Sequence, residues 1–202
     1  MKIHSTSLRS VFELEIVHTV DERGFFARLT DTSVLERLTE GTWKLPYLAV
    51  SHNDAAFTLR GLHWQAPPAV ETKLVRCLSG SIFDVVVNVD PTDNEYGQWT
   101  SVVLDAKSCN ALLIPPNHAH GFLTLEKNCR VMYEISGDYM PEYARSCRWD
   151  DKALGIVWPA TPEVVGARDG EACLLAEVML SVISATTAHP TTDNTEVSTQ
   201  RE

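Results

Sequence analysis

Short apolar runs, each bounded by glycine, proline, aspartate or asparagine, follow one another from about residue 47 to about residue 137. The runs are LAVS, TLRGLHW, TKLVRCL, SIFDVVVNV, WTSVVLD, NALLIP, HGFLTL and CRVMYEI. Their lengths, and the turn residues between them, are typical of β-strands. The pattern therefore predicts an antiparallel sandwich or barrel rather than βαβ units.

Two other segments have helical spacing. Residues 30–40, TDTSVLERLTE, predict a short helix in which Ser33 and Glu36 are spaced as a capping box. Residues 170–180, GEACLLAEVML, predict a second helix that packs on the sheet.

The chain is expected to form one domain over residues 1–183, followed by a disordered tail over residues 184–202, where large apolar side chains are rare. No apolar run approaches the ~18 residues that a membrane span needs, and the polar N-terminus is unlike a secretory signal. These features predict a soluble, cytoplasmic protein that does not enter a membrane.

Composition narrows the class of ligand. Seventeen basic against 27 acidic residues leave a formal net charge of −10, which argues against a nucleic-acid partner. An anionic small molecule would need arginine and lysine side chains gathered locally. The five cysteines are scattered and form no CxxC pair, which predicts buried reduced thiols.

Residues 72–87, TKLVRCLSGSIFDVVV, are predicted to form a hairpin whose two-residue turn is Ser79-Gly80. One face of that hairpin would carry Lys73, Val75, Cys77, Ile82, Asp84 and Val86. Lys73 and Asp84 would be diagonal neighbours on an apolar face, where charges are costly unless paired. We therefore favour an interior pocket, and the alternative is a solvated face with a weak surface ion pair.

Residues 58–65, TLRGLHWQ, place arginine and histidine among large apolar side chains, as expected for a strand that lines a polar pocket. Strict alternation puts Arg60 and His63 on opposite faces. A β-bulge at Gly61 would bring both to one side.

Three histidines, His63, His118 and His120, raise the hypothesis of a metal site, because both imidazoles of a strand-borne HAH point to one side. A carboxylate at a useful spacing is lacking, since the next acidic residue after His120 is Glu126. Structural hydrogen bonds are an alternative role for each histidine. We favour metal-free acid–base chemistry, with a histidine base, a tyrosine acid, a lysine and arginines acting beside the ketone of a phosphorylated ligand.

Several motifs occur in order between about residue 20 and about residue 170. They are DERGFF (21–26), TLRGLHWQ (58–65), ETKLVRCLSGSIFDVVVNV (71–89), YGQW (96–99), AHGF (119–122), Tyr133 with Asp138-Tyr139, and RWDDKALGIVWP (148–159). This combination resembles the dTDP-4-dehydrorhamnose 3,5-epimerase family. The resemblance implies a mainly β, cupin-type antiparallel jelly-roll barrel with a few short helices, a homodimer, and neither a metal nor a cofactor. It implies a nucleotide-linked 4-keto-6-deoxyhexose as substrate, epimerised at C3 and C5.

The resemblance also gives roles to individual residues. His63 resembles the base that removes a proton beside the keto group, and Asp169 the carboxylate that orients this base. Tyr133 resembles the acid on the other side of the ring, and Lys73 the cation near the developing enolate. Positions around the nucleotide or sugar are matched by Arg23, Phe26, Arg60, His120 and Tyr139, and the hairpin argument adds Asp84 to the substrate site.

Each role has a structural alternative. Tyr133 can be a core tyrosine, and Asp169 the N-cap of the predicted 170–180 helix. Lys73 can be a surface residue, and Arg60 a structural ion-pair partner. The function has alternatives as well, namely a mono-epimerase acting at C3 or C5 of a differently linked nucleotide sugar, or a non-catalytic sugar-binding cupin. The presence of both the histidine and the tyrosine favours catalysis.

Departures from the family pattern lie around the expected nucleotide end. Arg28 occupies a usually acidic position, and LAVSHNDAAF (48–57) replaces the QDNHS-like run that reads thymine. Phe57 and Ala144 stand where glycine and glutamate are common. These departures lead to the hypothesis that the chemistry is retained while the recognised base or sugar differs from dTDP-4-keto-6-deoxyglucose.

Overall fold

A computed structural model describes residues 1–44 and 47–187, and side chains up to residue 182. The strands are β1 (Lys2–Ser5), β2 (Phe12–Glu15), β3 (His18–Asp21), β4 (Gly24–Ala27), β5 (Tyr47–Asn53), β6 (Thr58–Gln65), β7 (Thr72–Ser79), β8 (Ser81–Asn88), β9 (Trp99–Asp105), β10 (Ala111–Ile114), β11 (His118–Thr124), β12 (Cys129–Ser136), β13 (Ala144–Ser146) and β14 (Val164–Val165). The helices are α1 (Thr32–Leu38), α2 (Ala167–Gly170) and α3 (Leu175–Thr187), with a 3-10 turn at Pro141–Tyr143.

Two sheets contain most of these strands. The first has the order β1-β2-β10-β7-β12-β5, and the second has the order β13-β6-β11-β8-β9 with β14 added parallel to β6. The other pairings are antiparallel, and β3 and β4 form a separate hairpin. The prediction of a mainly β, cupin-type antiparallel jelly roll with a few short helices is confirmed.

The central core lies between the two sheets. Its fully buried apolar side chains come from β7, β8, β10, β11 and β12, and they include Val75, Ile82, Val86, Leu112, Phe122 and Val131. A second cluster, on which α3 packs, contains Leu62, Val85, Val87, Leu175 and Met179. Strands β8 and β11 are therefore held on both faces by packed apolar side chains.

The predicted hairpin at Ser79-Gly80 is wrong. Strand β7 pairs with β10 and β12, whereas β8 pairs with β11 and β9, so that the chain crosses between sheets at Gly80. Gly80 has a φ of +76°, which favours glycine. Val75, Ile82 and Val86 nevertheless share one core cluster, because the two strands face each other across the core instead of lying side by side.

The helices differ from the predicted ones at their ends. Helix α1 is capped by Asp31, whose carboxylate accepts a hydrogen bond from the Ser33 amide at 3.1 Å, so the predicted capping box at Ser33 is wrong. The helix predicted over residues 170–180 is divided between the end of α2 and the start of α3. Helix α3 continues to Thr187, into the predicted tail, and residues 188–202 lie outside the described residues.

All five cysteines are free thiols, as predicted. Four of them are buried, and the prediction of burial is wrong for Cys173, which is exposed. Within the described part of the chain, no helix is long and apolar enough to cross a membrane.

Candidate active site

A cavity of about 290 Å³ lies between the two sheets and contains most of the predicted site residues. Its walls include Arg60 and His63 from β6, Lys73 from β7, His120 from β11, Tyr133 from β12, and Tyr139 from the loop that follows β12. The residues predicted as base and acid therefore line one shared space.

A β-bulge in β6 brings Arg60 and His63 to the same side, as predicted. His63 is opposite His120 and Arg60 is opposite Phe122, so two residues of β6 face a single residue of β11 between these pairs. Gly61 occupies the bulge with a φ of +117°. A Cβ at this position would lie 2.5 Å from the Cα of Gly121, which explains why β6 carries glycine here.

His63 is held by Asp169. The distance between His63 Nε2 and Asp169 Oδ1 is 2.6 Å, and the Gly61 amide donates to Asp169 Oδ2 at 3.1 Å. Because an ionised carboxylate only accepts hydrogen bonds, Nε2 carries the proton and Nδ1 keeps a free lone pair. Asp169 lies within α2, and its carboxylate caps no helix, so the N-cap interpretation is wrong.

The carboxylate of Asp169 stays ionised in this position. Burial alone would raise its pKa, but the hydrogen bond and charge of His63, together with the Gly61 amide, outweigh burial and lower the pKa below its ordinary value. The site therefore keeps a fixed negative charge behind the imidazole down to acidic pH.

We predict that Asp169→Asn lowers kcat by roughly a hundredfold, at the lower end of the range for general acid–base catalysis. The amide preserves the shape of the side chain but removes the charge that stabilises an imidazolium. Steady-state turnover of the substrate measures the effect. Asp150→Asn is the matched control, because Asp150 pairs with Arg148 outside the cavity. Equal activity of the two variants would show that Asp169 has only a structural role.

Tyr133 is half-buried against the central core, and its hydroxyl has no hydrogen-bond partner among the described residues. Its ring packs edge-on to His120, with ring centroids 5.9 Å apart. Burial, followed by the negative charge of Asp84, raises the pKa of the Tyr133 phenol, and the charge of Arg60 opposes this rise. The phenol thus remains protonated at neutral pH and available as a donor.

Lys73 is buried and paired, although not with the predicted partner. Its ammonium lies 2.9 Å from Glu71 Oε1 and donates to the backbone carbonyl of His63 at 3.1 Å. An ammonium has three N–H groups, so one remains for a ligand. The surface interpretation of Lys73 is wrong.

Asp84 lies behind the cavity wall. Both of its oxygens accept from His120 Nε2, at 3.1 and 2.9 Å, and both side chains are almost fully buried. Burial raises the pKa of Asp84, while His120 acts against this rise. Asp84 therefore orients His120, and His120 is the member of the pair that lines the cavity.

Arg23 and Phe26 lie elsewhere, on the β3–β4 hairpin. Neither lines the cavity of the same chain. Arg23 pairs with Asp21, and the Phe26 side chain is 82% exposed. A role near the substrate would require this hairpin to meet the cavity of another copy.

Sequence reasoning missed several residues of the cavity wall, among them Gln65, Glu71, Arg145 and Arg168. The Gln65 amide donates to Glu71 at 3.2 Å and to the Asp138 carbonyl at 3.0 Å. It therefore joins the partner of Lys73 to the loop that carries Tyr139. The even spacing of Glu71 and Lys73 along an extended segment was a usable signal for their pairing.

The departures from the family pattern are only partly near the cavity. Ala144 lines it, as does Ala49 from LAVSHNDAAF. Arg28 is 3.9 Å from Asp31 on the surface, and Phe57 adopts a φ of +54° outside the cavity wall.

The three histidines of the metal hypothesis have separate partners. His63 and His120 bind the carboxylates described above, and His118 Nδ1 lies 2.8 Å from the Pro116 carbonyl. Among the residues that the structure describes, no group of three or more histidine, cysteine, aspartate or glutamate side chains is arranged to hold a metal ion.

Comparison with known proteins gives a consistent result. Residues 5–177 match the family described as dTDP-4-dehydrorhamnose 3,5-epimerase. The chain is 35% identical over 184 residues to the dTDP-4-dehydrorhamnose 3,5-epimerase of Salmonella typhimurium, covering 90% of this chain and 99% of that enzyme.

Solved structures are similar over the same extent. The dTDP-6-deoxy-D-glucose-3,5-epimerase of Legionella pneumophila, in complex with dTDP-4-keto-L-rhamnose, superposes with a TM-score of 0.84 at 30% identity, covering 90% of this chain and 96% of that one. A double mutant of a 3'-monoepimerase from Streptomyces bikiniensis, in complex with dTDP, superposes with a TM-score of 0.81 at 25% identity, covering 89% and 90% of the two chains.

Proposed function

Because this chain belongs to the dTDP-4-dehydrorhamnose 3,5-epimerase family, we propose that its cavity epimerises a nucleotide-linked 4-keto-6-deoxyhexose at C3 and C5, with His63 as base and Tyr133 as acid. The enzyme is an isomerase. The observation that supports this assignment of roles is the shared cavity of His63 and Tyr133, each with a reactive atom free of protein partners among the described residues.

Proton removal falls to His63 Nδ1. A proton on a carbon beside the C4 ketone is acidic because the resulting negative charge spreads onto the ketone oxygen. As Nδ1 accepts this proton, the ring becomes an imidazolium whose Nε2–H already points at the ionised carboxylate of Asp169. The charge that forms on the base is thus stabilised where it appears.

Lys73 stabilises the enolate. Two of its N–H groups are directed to Glu71 and to the His63 carbonyl, and the third would donate to the C4 oxygen. Because Lys73 is buried, its charge acts in a water-poor environment, where an electrostatic contact is stronger than in water.

Tyr133 returns a proton to the face of the ring opposite to His63, which inverts the carbon. The step leaves a phenolate and an imidazolium, and exchange of protons with water restores the starting state of both. A second cycle on the other carbon adjacent to the ketone completes the double epimerisation.

The diphosphate of the substrate would meet arginines at the cavity wall. Arg60, Arg145 and Arg168 line the cavity, and none of the three forms an ion pair with a carboxylate in the described part of the chain. Arg60 is held by the Asn53 side chain at 2.7 Å, so its charge is positioned but not neutralised.

Incubation with dTDP-4-keto-6-deoxyglucose in deuterated water tests this function. We expect deuterium at both C3 and C5 by NMR. Deuterium at one carbon would support the mono-epimerase alternative, a class to which the similar Streptomyces bikiniensis enzyme belongs. A folded protein that incorporates no deuterium would contradict catalysis on this substrate and favour another nucleotide sugar or a non-catalytic binding role.

The enzyme acts as a homodimer in this proposal. Strand β5 is a sheet edge, and Leu48 and Val50 on it are 65% and 60% exposed. Phe25 and Phe26 of the β3–β4 hairpin are exposed as well. Pairing of two copies would cover these apolar side chains and could bring Arg23 and Phe26 to the partner's cavity.

We expect Val50→Asp to convert the dimer into a monomer at micromolar concentration and to lower turnover. Light scattering after size-exclusion chromatography measures the mass. Val157→Asp is the control, because Val157 is 72% exposed and lies outside β5 and the hairpin. A monomeric wild-type protein would refute the dimer, and an unchanged mass for Val50→Asp would remove β5 from its interface.

The free thiols fit a reducing cytoplasm, where we place the enzyme.

A further inference from the structure

The arginines that line the cavity differ from most other described arginines because they have no carboxylate as an ion-pair partner. Arg9, Arg23, Arg28, Arg76 and Arg148 are ion-paired with carboxylates. Arg60, Arg145 and Arg168 line the cavity and form no such pair within residues 1–44 and 47–187. In a chain of net charge −10, guanidinium groups gathered without acidic partners at one cavity indicate an anionic ligand.

Arg145 is distinguished by the part of its guanidinium that is free. Its Nη1 group donates to the carbonyls of Glu142 at 2.7 Å and Ala144 at 3.0 Å. The edge formed by Nε and Nη2 has no hydrogen-bond partner among the described residues. That edge is a fork of parallel N–H groups that matches two oxygens of one phosphate.

Arg60 offers less to a phosphate. Its Nε donates to Asn53 Oδ1 at 2.7 Å and its Nη2 to the His52 carbonyl at 3.4 Å, so the corresponding fork is already occupied by protein. Arg168 is exposed, and no N–H group of its guanidinium is fixed by a hydrogen bond to a described residue. Only Arg145 combines a free fork with a guanidinium that the protein already holds in place.

The backbone of Arg145 is fixed relative to the catalytic histidine. Strand β13 pairs with β6 so that Arg145 is opposite Trp64 and Ser146 is opposite His63. The neighbouring Ala144 also lines the cavity and contributes neither charge nor bulk to the wall. Nothing at the adjacent position therefore neutralises or covers the arginine.

We infer that Arg145 binds the diphosphate of the substrate through its Nε–Nη2 edge, and that it sets the affinity for the nucleotide sugar without taking part in proton transfer. The inference rests on the proposed function, because the diphosphate belongs to the proposed substrate. It adds a substrate-binding residue to the roles of His63 and Tyr133.

Calorimetric titration of Arg145→Gln with dTDP, inorganic pyrophosphate and thymidine tests the inference. We expect Kd for dTDP and for pyrophosphate to rise roughly tenfold to a hundredfold, as for the loss of charge-assisted hydrogen bonds. The affinity for thymidine, which has no phosphate, should not change. The Kd values of Arg145→Lys for dTDP and pyrophosphate should lie between those of the wild type and those of Arg145→Gln, because lysine keeps the charge but lacks the fork.

Arg130→Gln is the matched control. It removes the same charge from an exposed residue of β12 that does not line the cavity, and its Kd values should equal those of the wild type. In turnover, Arg145→Gln should raise KM while kcat stays within about twofold, the pattern of a lost binding contact.

Three results would overturn the inference: wild-type affinity of Arg145→Gln for dTDP and pyrophosphate, an equal loss of affinity for thymidine, or a fall in kcat at unchanged KM. Circular dichroism establishes that each variant is folded. Failure of the proposed function would look different. The wild type would then incorporate no deuterium into the 4-keto sugar, whereas the effect of Arg145 on dTDP binding would still be measurable.

Discussion

His63→Asn is expected to abolish deuterium uptake at both C3 and C5 and to lower kcat by roughly 10²–10⁴-fold, the range for loss of a general base. Asparagine is smaller than histidine and its amide reaches only as far as the Nδ1 position, so it also gives up the contact that His63 Nε2 makes with Asp169 at 2.6 Å. It has no basic nitrogen in place of Nδ1. The enolate would therefore not form, and neither carbon would exchange its proton.

NMR of the sugar during incubation in deuterated water measures this effect. His52→Asn is the control, because His52 pairs with Asp54 at an exposed site outside the cavity. Uptake by His63→Asn at the wild-type rate, in a protein with unchanged circular dichroism, would show that another group removes the proton.

Tyr133→Phe is expected to separate proton exchange from inversion. The variant keeps the base and the cation, so the enolate still forms and takes up deuterium from the face of His63. It lacks the donor on the opposite face, so formation of the epimerised product should fall by roughly 10²–10⁴-fold. The sugar should thus become deuterated with its configuration retained.

The substitution is well suited to this test because the Tyr133 hydroxyl makes no hydrogen bond to a described residue, so its removal leaves no protein group unpaired. Tyr96→Phe is the control, since Tyr96 lies outside the cavity. Undiminished formation of the epimerised product by Tyr133→Phe would exclude this tyrosine as the acid. Loss of both exchange and inversion would mean that it acts before the enolate forms.

The sequence allowed the fold class to be predicted because strand length, alternation and turn residues are local properties of the chain. The pairing of strands is not local. Ser79-Gly80 has the residues of a tight hairpin turn, yet the same residues serve a crossing between two sheets, where Gly80 needs its positive φ. The alternation of side chains between the two faces of each strand does not depend on strand pairing. The inward-facing side chains, which include those of Val75 and Ile82, were therefore predicted correctly.

For the candidate site, too, the features that depend on local sequence were predictable and those that depend on strand pairing were not. Alternation and one glycine were enough to place Arg60 and His63 on one side of β6, since the bulge at Gly61 follows from local chemistry. The partner of Lys73 was predicted wrongly because Asp84 was placed from the incorrect hairpin, whereas Glu71 is nearer.

Residues that depend on distant parts of the chain were beyond sequence reasoning. Arg145 reaches the cavity because β13 pairs with β6, a contact between segments that are far apart in sequence. Arg23 and Phe26 lie on a hairpin away from the cavity, and their proposed role depends on a second copy of the chain.

In the proposed mechanism, His63 and Tyr133 act on opposite faces of one sugar ring. A crystal structure of the chain with a dTDP-linked 4-keto-6-deoxyhexose tests it most directly. We predict that the ring lies in the cavity between His63 Nδ1 and Tyr133 Oη, with one of these atoms on each face and both within about 3–4 Å of the carbons adjacent to the ketone. A ring bound with both groups on the same face, or bound outside this cavity, would contradict the mechanism.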